Sequence, residues 1–261
     1  MDFAEKLEWI DKEYLSAYDA ITLDSAVKEQ AAFEKPKEIS FPYPIASSES
    51  LTDNTYLSYN TVVGNVLDKE LYLAFEVLEY ALLNAPGAPL KKALIDAGIG
   101  KDIMGSYDNG IYQPIFSIIA KNANEEQKEE FLSVIRNVLE DCVKNGISKK
   151  SLLAGINSME FKFREADFGA YPKGLMYGLQ CLDSWIYDEK EPFMHIEAIE
   201  TYAFLKEQTK GRYFEELVQK YLLDNTHVSV VITKPQKGLN AENEKALEEK
   251  LAAYKAMLSK E

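Results

Sequence analysis

Histidine is scarce in this sequence of 261 residues, which contains only His195 and His227, 32 residues apart. A catalytic zinc site needs three protein ligands, and helical zinc motifs such as H-x-x-E-H supply two histidines four residues apart. Neither that motif nor its inverse, H-E-x-x-H, occurs in the sequence. The sequence therefore argues against a self-contained zinc hydrolase, and we expect each histidine to be a capping or surface residue.

Cysteine is equally rare, with Cys142 and Cys181 each placed among apolar neighbours. Two cysteines in a chain of this length do not make a disulfide framework, and they favour a reducing compartment. The acidic segment "MDFAEKLEWIDKEY" does not resemble a signal peptide, and no apolar run reaches the roughly 20 residues that span a bilayer. We therefore expect a cytoplasmic protein, or one in an organelle matrix if the source is eukaryotic.

Positive charge is also in short supply. Lysine and arginine total 29 against 43 aspartates and glutamates, and the formal net charge is −14. Such a surface repels phosphate backbones, so nucleic acid and anionic membranes are excluded as expected partners.

Other catalytic signatures are missing as well. There is no G-x-S-x-G motif, and "GIGKDIMGS" lacks the G-K-[ST] ending of a phosphate-binding loop. We therefore expect no catalytic residue, no metal ligand and no cofactor in this chain.

The apolar periodicity that is present predicts an α+β fold, in which helices pack on one face of a mainly antiparallel sheet. "DNG" predicts a hairpin turn between two strands, since asparagine and glycine accept left-handed backbone angles. The predicted strands are residues 55–64, 101–107, 111–121 and 227–235, and the predicted helices are residues 67–83, 90–97, 125–144, 148–167, 172–188, 197–210 and 212–223.

The two ends of the chain differ from its middle. Residues 1–30 are polar and weakly helical, and the proline- and serine-rich segment 33–50, "FEKPKEISFPYPIASSES", is interpreted as an extended connector. Residues 38–236 form the predicted globular domain. The C-terminal helix has a thin apolar stripe with no evident partner within the chain, so both ends look like pieces of a longer polypeptide.

One helix end, "NSMEFKFREADFG", looks at first like a catalytic cluster. Glu160 and Arg164 stand four residues apart, which on a helix favours an ion pair. No second polar site is predicted to face them, so we interpret this segment as structural. The following helix, in "YPKGLMYGLQCLDSWIYD", is predicted to bury the apolar stripe Leu175, Leu179, Leu182 and Trp185.

These same segments carry a family resemblance. "NSMEFKFREADFGAYPKGLMYGLQCLDSWIYD" resembles a segment of the presequence-protease branch of the pitrilysin, or insulinase-like, zinc metallopeptidases. "APLKKALIDAGIG" and "YLLDNTHVSVVITKP" are also similar to that family, so the resemblance runs in order from about residue 56. The matching positions are Asn157, Glu160, Phe161, Arg164, Glu165, Pro172, Lys173, Gly174, Leu175, Trp185, Tyr187 and Asp188.

The resemblance implies a domain of the metallopeptidase-like class shared with LuxS and the mitochondrial processing peptidases. Members have four homologous domains whose two halves close around unstructured peptides, and zinc is bound by the first domain alone. This chain resembles the second, non-catalytic domain, which implies that residues 1–37 are a connector from a preceding domain and that residues 237–261 begin a helical hairpin. The resemblance further implies that the chain is inactive alone and that its partners are the other domains and an unstructured peptide. We also expect the isolated chain to self-associate through the interface that it would expose.

The resemblance also implies a substrate site. In related enzymes the second domain offers an edge strand to the peptide, and the similar stretch here is Ile103, Met104, Gly105, Ser106 and Tyr107. An exposed edge can accept an extended peptide through backbone hydrogen bonds, and we expect Gly105 to let that backbone approach closely. An interior position for this strand is an equally open alternative at this point.

Two other functions remain open from the sequence. A stand-alone peptide-binding or scaffold protein of the same fold is the main alternative, which a reading frame confined to these 261 residues would favour. A separate enzyme with scattered carboxylates is the weaker one, and metal analysis with a hydrolase screen would test it.

Overall fold

The computed structural model describes residues 2–19, 21–22 and 24–258. Met1, Ala20 and Leu23 of the predicted connector lie outside the described residues, as do residues 259–261 of the predicted hairpin segment.

Within this range the strands form one five-stranded sheet in the order β1-β5-β2-β4-β3. All neighbouring strands are antiparallel except β1 and β5, which are parallel. The strands are β1 (Lys37–Ile45), β2 (Thr55–Val62), β3 (Asp102–Asp108), β4 (Ile115–Ala123) and β5 (Val228–Lys237).

The helices follow the predicted order closely. They are α1 (Phe3–Glu13), α2 (Lys69–Glu79), α3 (Pro89–Asp96), α4 (Lys128–Asn145), α5 (Lys149–Glu165), α6 (Lys173–Trp185), α7 (Ile199–Gln208), α8 (Tyr213–Val218) and α9 (Leu239–Met257). Two π-helical turns, Tyr80–Asn84 and Gln219–Leu223, extend α2 and α8.

One face of the sheet is covered by helices, which confirms the α+β fold. Leu57, Ile118 and Ile232 on that face are at most 2% exposed. Phe75 of α2 packs over them with its ring edge-on to Phe116, the centroids 5.8 Å apart. Each such buried side chain contributes roughly 1.5–3 kcal/mol, so this layer is the core of the domain.

The segment predicted as an extended connector is partly wrong, because residues 37–45 form strand β1. Lys37 to Ile45 pair in parallel with Ser229 to Lys237 of β5. Proline lacks a backbone N–H, yet an edge strand tolerates it where that position faces solvent. The pairing with β5, whose residues stand 192 positions further along the chain (Lys37 opposite Ser229), could not be read from the local composition.

The start of β4 also differs from the prediction, which placed it at residue 111. Residues 109–114 instead form a long turn that packs back on the sheet end. The carbonyl oxygens of Tyr112 and Pro114 accept hydrogen bonds from Val66 and Val63 at 3.0 and 2.8 Å. These bonds hold the turn away from β3, so the hairpin pairing begins only at Ile115.

Candidate functional site

Strand β3 lies at an edge of the sheet. It pairs with β4 along its whole length, from Asp102 opposite Lys121 to Asp108 opposite Ile115, and it is the last strand in the order. The alternative of an interior strand is therefore excluded. The strand contains no proline, so each of its residues keeps a backbone N–H. An edge of this kind presents unpaired donors and acceptors to an incoming strand.

The predicted site residues divide between the two faces of β3. Ile103 is 1% exposed and Tyr107 is also turned towards the helices. Met104 and Ser106 face the other way and are exposed. A peptide added at this edge would form backbone hydrogen bonds with alternate residues of this stretch, and on the open face it would meet the side chains of Met104 and Ser106.

Gly105 has a different role from the predicted one. A Cβ at this position would point into the helical layer, 2.7 Å from Cδ1 of Leu83 and 3.1 Å from Cγ of Glu79. The missing side chain therefore makes room for the helix end of this same chain. Our expectation that the glycine serves the close approach of a substrate backbone does not agree with this geometry.

The open face of the sheet continues from β3 to the far edge. The strand registers align Met104, Ile119, Ser58, Val231 and Ile39 in one row across all five strands. The next row is polar and consists of Ser106, Ser117, Asn60, Ser229 and Lys37. An apolar row beside a hydroxyl- and amide-bearing row forms a surface that can contact a polypeptide of mixed composition.

A polar cluster that the sequence analysis missed lies at the Asp108 end of β3. The side chain of Asn109 donates a hydrogen bond to Oε1 of Glu76 at 2.8 Å, and the hydroxyl of Tyr72 donates to Oδ2 of Asp183 at 3.0 Å. Desolvation raises the pKa of Glu76 to about 7, and desolvation likewise raises the pKa of Asp183. The cluster joins α2, the β3–β4 turn and α6. The one feature of the sequence that could have indicated this cluster is Glu76, an acidic residue beside the apolar stripe of α2.

The ion pair predicted within "EFKFRE" is present. Nε of Arg164 donates to Oε1 of Glu160 at 2.9 Å, and Lys206 of α7 also binds this carboxylate. The hydrogen bonds from Lys206 and Arg164 lower the pKa of Glu160. The carboxylate therefore ties α5 to α7 and is paired rather than free for acid–base chemistry.

The two histidines are buried, so the expectation of capping or surface histidines is wrong. The ring of His195 stacks on Tyr72 with centroids 3.9 Å apart, and His227 meets Phe33 edge-on at 4.5 Å. Burial lowers the pKa of both imidazoles, that of His195 to about 4. Across the part of the chain that the structure describes, no group of three histidine, cysteine or acidic side chains could hold a metal ion.

Helix α6 also differs from the prediction. Its stripe of Leu175, Leu179, Leu182 and Trp185 was expected to be buried, yet these side chains are 40–53% exposed. The helix turns its polar side, with Asp183 and the buried Ser184, towards the domain. Periodicity identified the apolar stripe correctly, but a local pattern cannot show whether the stripe packs against the rest of this chain.

The helices of residues 2–19, 21–22 and 24–258 include none long and apolar enough to cross a membrane. Cys142 and Cys181 are both free thiols, with Cys142 buried.

Comparison with known proteins identifies relatives of this chain. The family model described as the peptidase M16 inactive domain matches residues 2–159. Protein HypA of Clostridium perfringens is 44% identical over 97% of this chain, and presequence protease 1 of Arabidopsis thaliana is 28% identical over 95% of it. The chain spans 26% and 24% of those two proteins, about a quarter of each.

A solved structure agrees on the fold. The peptidase M16 inactive domain from Pseudomonas fluorescens superposes with a TM-score of 0.60 over 89% of this chain and 51% of that one, at 14% identity.

Proposed function

The chain belongs to the peptidase M16 inactive domain family, and on that premise we propose that it is the non-catalytic domain of a zinc metallopeptidase that degrades unstructured peptides. In this proposal it forms part of the chamber wall, and β3 anchors the substrate as an added strand. Zinc and the catalytic residues belong to another domain of the parent enzyme. The chain alone hydrolyses no peptide bond.

The observation that supports peptide anchoring most directly is the position of β3. It is an edge strand, it lacks proline, and its inner side is packed on helices through Ile103. Adding an extended peptide to such an edge forms main-chain hydrogen bonds that do not depend on peptide sequence. This tolerance suits an enzyme whose substrates share the unfolded state rather than a recognition sequence.

The same proposal assigns roles to the two ends of the chain. Residues 1–37 connect from a preceding domain, residues 38–236 are the metallopeptidase-like domain, and residues 237–261 begin a helical hairpin. The exposed stripe of α6 and the helices α1 and α9, which contain no buried residue, supply surfaces for the other domains, or for self-association of the isolated chain. We propose a reducing, cytoplasmic setting, which two free thiols support.

Peptide binding can be tested by hydrogen exchange on the chain with and without an unstructured synthetic peptide. We expect slower exchange of amides in β3 when the peptide is present and no change in β1. A proline scan from Ile103 to Tyr107 sharpens the test. Proline at positions whose N–H faces outward should abolish protection while the chain remains folded, and equal protection of β1 and β3 would contradict the proposal.

The absence of activity can be tested separately. The chain is incubated with zinc and the same peptide, and cleavage is followed by mass spectrometry. We expect an intact peptide. Cleavage by a pure sample that EDTA abolishes would instead favour an enzyme with its own metal site.

A further inference from the structure

Residues 29–33, which we name the strap, cross the sheet end where β2 finishes and β5 begins. They precede β1 and belong to no helix or strand, and their side chains are exposed except for the half-buried Phe33. An exposed segment without regular structure usually moves freely. The strap is instead held at three separate points by side chains of the domain.

The firmest of these points is Gln113, in the long turn before β4. Its Oε1 accepts a hydrogen bond from the backbone N–H of Gln30 at 2.7 Å, and its Nε2 donates to the carbonyl oxygen of the same residue at 3.0 Å. One side-chain amide thus pairs with both backbone groups of one residue, as a neighbouring β-strand would. This contact recognises extended backbone and ignores the side chain of residue 30.

Two further contacts flank this pair. The hydroxyl of Thr226 donates to the carbonyl oxygen of Phe33 at 2.6 Å, and the side chain of Asn65 donates to Oε1 of Glu29 at 2.9 Å. The Phe33 ring lies edge-on to buried His227 and beneath Nζ of Lys37, which is 4.1 Å from the ring centroid. The strap is therefore fixed at its start, middle and end.

The strap also forms one wall of a cavity of about 810 Å³ at this end of the sheet. Residues 29–32 line one side, and the other side includes Gln113, Lys220 and His227. The lining is rich in polar groups, so water fills such a space readily. The space is already open to solvent on one side, so releasing the strap would remove one wall of a groove and free the groups that hold it.

We propose that the domain binds the strap reversibly, as it would bind an extended peptide. The binding groove is formed by Asn65, Gln113, Thr226 and His227, and its occupant is residues 29–33 of the same chain. This contact sets the direction in which the polypeptide enters the domain. This proposal does not depend on β3 or on the function of the parent protein. It assigns a role to Gln113 and Thr226, which neither periodicity nor motif singled out.

The test uses the complete chain and trypsin, because Lys28 directly precedes the strap and its bond to Glu29 can be cleaved, whereas Pro36 makes the bond after Lys35 resistant to trypsin. The double variant Gln113→Ala/Thr226→Val removes three hydrogen bonds to the strap backbone. A typical hydrogen bond contributes about 1 kcal/mol net, so we expect cleavage at Lys28 to accelerate roughly 10- to 100-fold. Hydrogen exchange of residues 27–33 should accelerate in parallel, while β2 and β5 remain as protected as before.

Gln236→Ala is the matched control, because Gln236 lies near the far end of β5 and its amide donates to the exposed side chain of Glu242 at 3.4 Å. It should leave cleavage at Lys28 unchanged. Gln113→Glu retains the acceptor for the N–H of Gln30 and loses the donor, so it should give an intermediate rate. Equal cleavage of the double variant and the parent chain would overturn the proposal, as would acceleration accompanied by loss of protection in β2, which would indicate general unfolding.

Discussion

The two edges of the sheet are built in opposite ways. β1 carries Pro42 and Pro44, and most of its residues are exposed. β3 carries no proline and alternates exposed with buried or partly buried residues. Prolines interrupt the row of N–H donors that another strand needs, so the β1 edge is protected against further pairing, whereas the β3 edge remains able to pair.

The support behind each edge also differs. β3 rests on the core through Ile103 and on the helix end through Gly105, whereas β1 is tied to α4 by an exposed ion pair between Glu38 and Lys128 at 2.8 Å. The inner side of β3 is therefore packed more deeply than that of β1. The comparison shows that the two edge strands differ in their packing on the helical layer as well as in the backbone groups that they expose.

The largest difference should come from one substitution made on each edge. Ile103→Ala removes a side chain that is 1% exposed, and we expect a loss of about 2–5 kcal/mol in the free energy of unfolding. Ile39→Ala removes a side chain that is 39% exposed, so its expected loss is under about 1 kcal/mol. Urea unfolding of both variants measures the difference between the two losses of unfolding free energy. Similar losses would contradict the proposed difference between the edges.

The buried carboxyl group of Glu76, in the helix α2 that packs behind β3, should make the stability of the domain depend on pH. Burial raises the pKa of Glu76 from 4.5 to about 7, so the folded state holds this proton more tightly than the unfolded state does. The stabilisation from that proton is complete below about pH 4.5 and is lost as the pH rises to about 7. Glu79 and Asp183 face the same carboxyl group and oppose its ionisation.

Glu76→Gln removes this titration and keeps an oxygen that can accept the bond from Asn109. We expect the variant to gain about 1–3 kcal/mol relative to the parent chain between pH 5 and pH 8, measured by urea unfolding at each pH. Asp183 still titrates in both proteins, so only the difference between them is informative. A constant difference across this range would show that Glu76 is ionised throughout.

A smaller effect should follow from filling the space behind Gly105. Gly105→Ala places a Cβ 2.7 Å from the flexible end of Leu83, and we expect a loss of about 1–2 kcal/mol as that side chain shifts. Ser40→Ala on exposed β1 is the matched change and should stay within about 0.5 kcal/mol of the parent chain. An unchanged stability for both would mean that the helix end adapts without strain.

The smallest effect should come from the ion pair behind β1. Glu38→Gln removes a partner of Lys128, which keeps Glu129 within 2.9 Å. Exposed ion pairs contribute little, so we expect an unfolding curve that overlays the parent curve. A clear loss of stability would mean that β1 is held more firmly than its exposure indicates.

The sequence predicted well wherever the signal was local. The stripe of α2 gave a helix, the valine- and tyrosine-rich segment gave β2, and the spacing of Glu160 and Arg164 gave the observed ion pair. The apolar periodicity gave the fold class, and the resemblance to pitrilysin-like enzymes gave the family. These inferences succeed because backbone periodicity and residue chemistry act within a few positions of the chain.

Other features depended on distant contacts. Four features required partners far along the chain. They are the membership of β1 in the sheet, the edge position of β3, the packing that needs a glycine at position 105, and the burial of both histidines. The sequence alone determined most of the helices, three of the four strands from β2 to β5 to within two residues, the excess of acidic charge and the lack of a zinc motif. Only the tertiary structure decided which strand edge stays open and which apolar stripe stays uncovered, because both depend on which elements become neighbours, and long-range pairing leaves no local pattern.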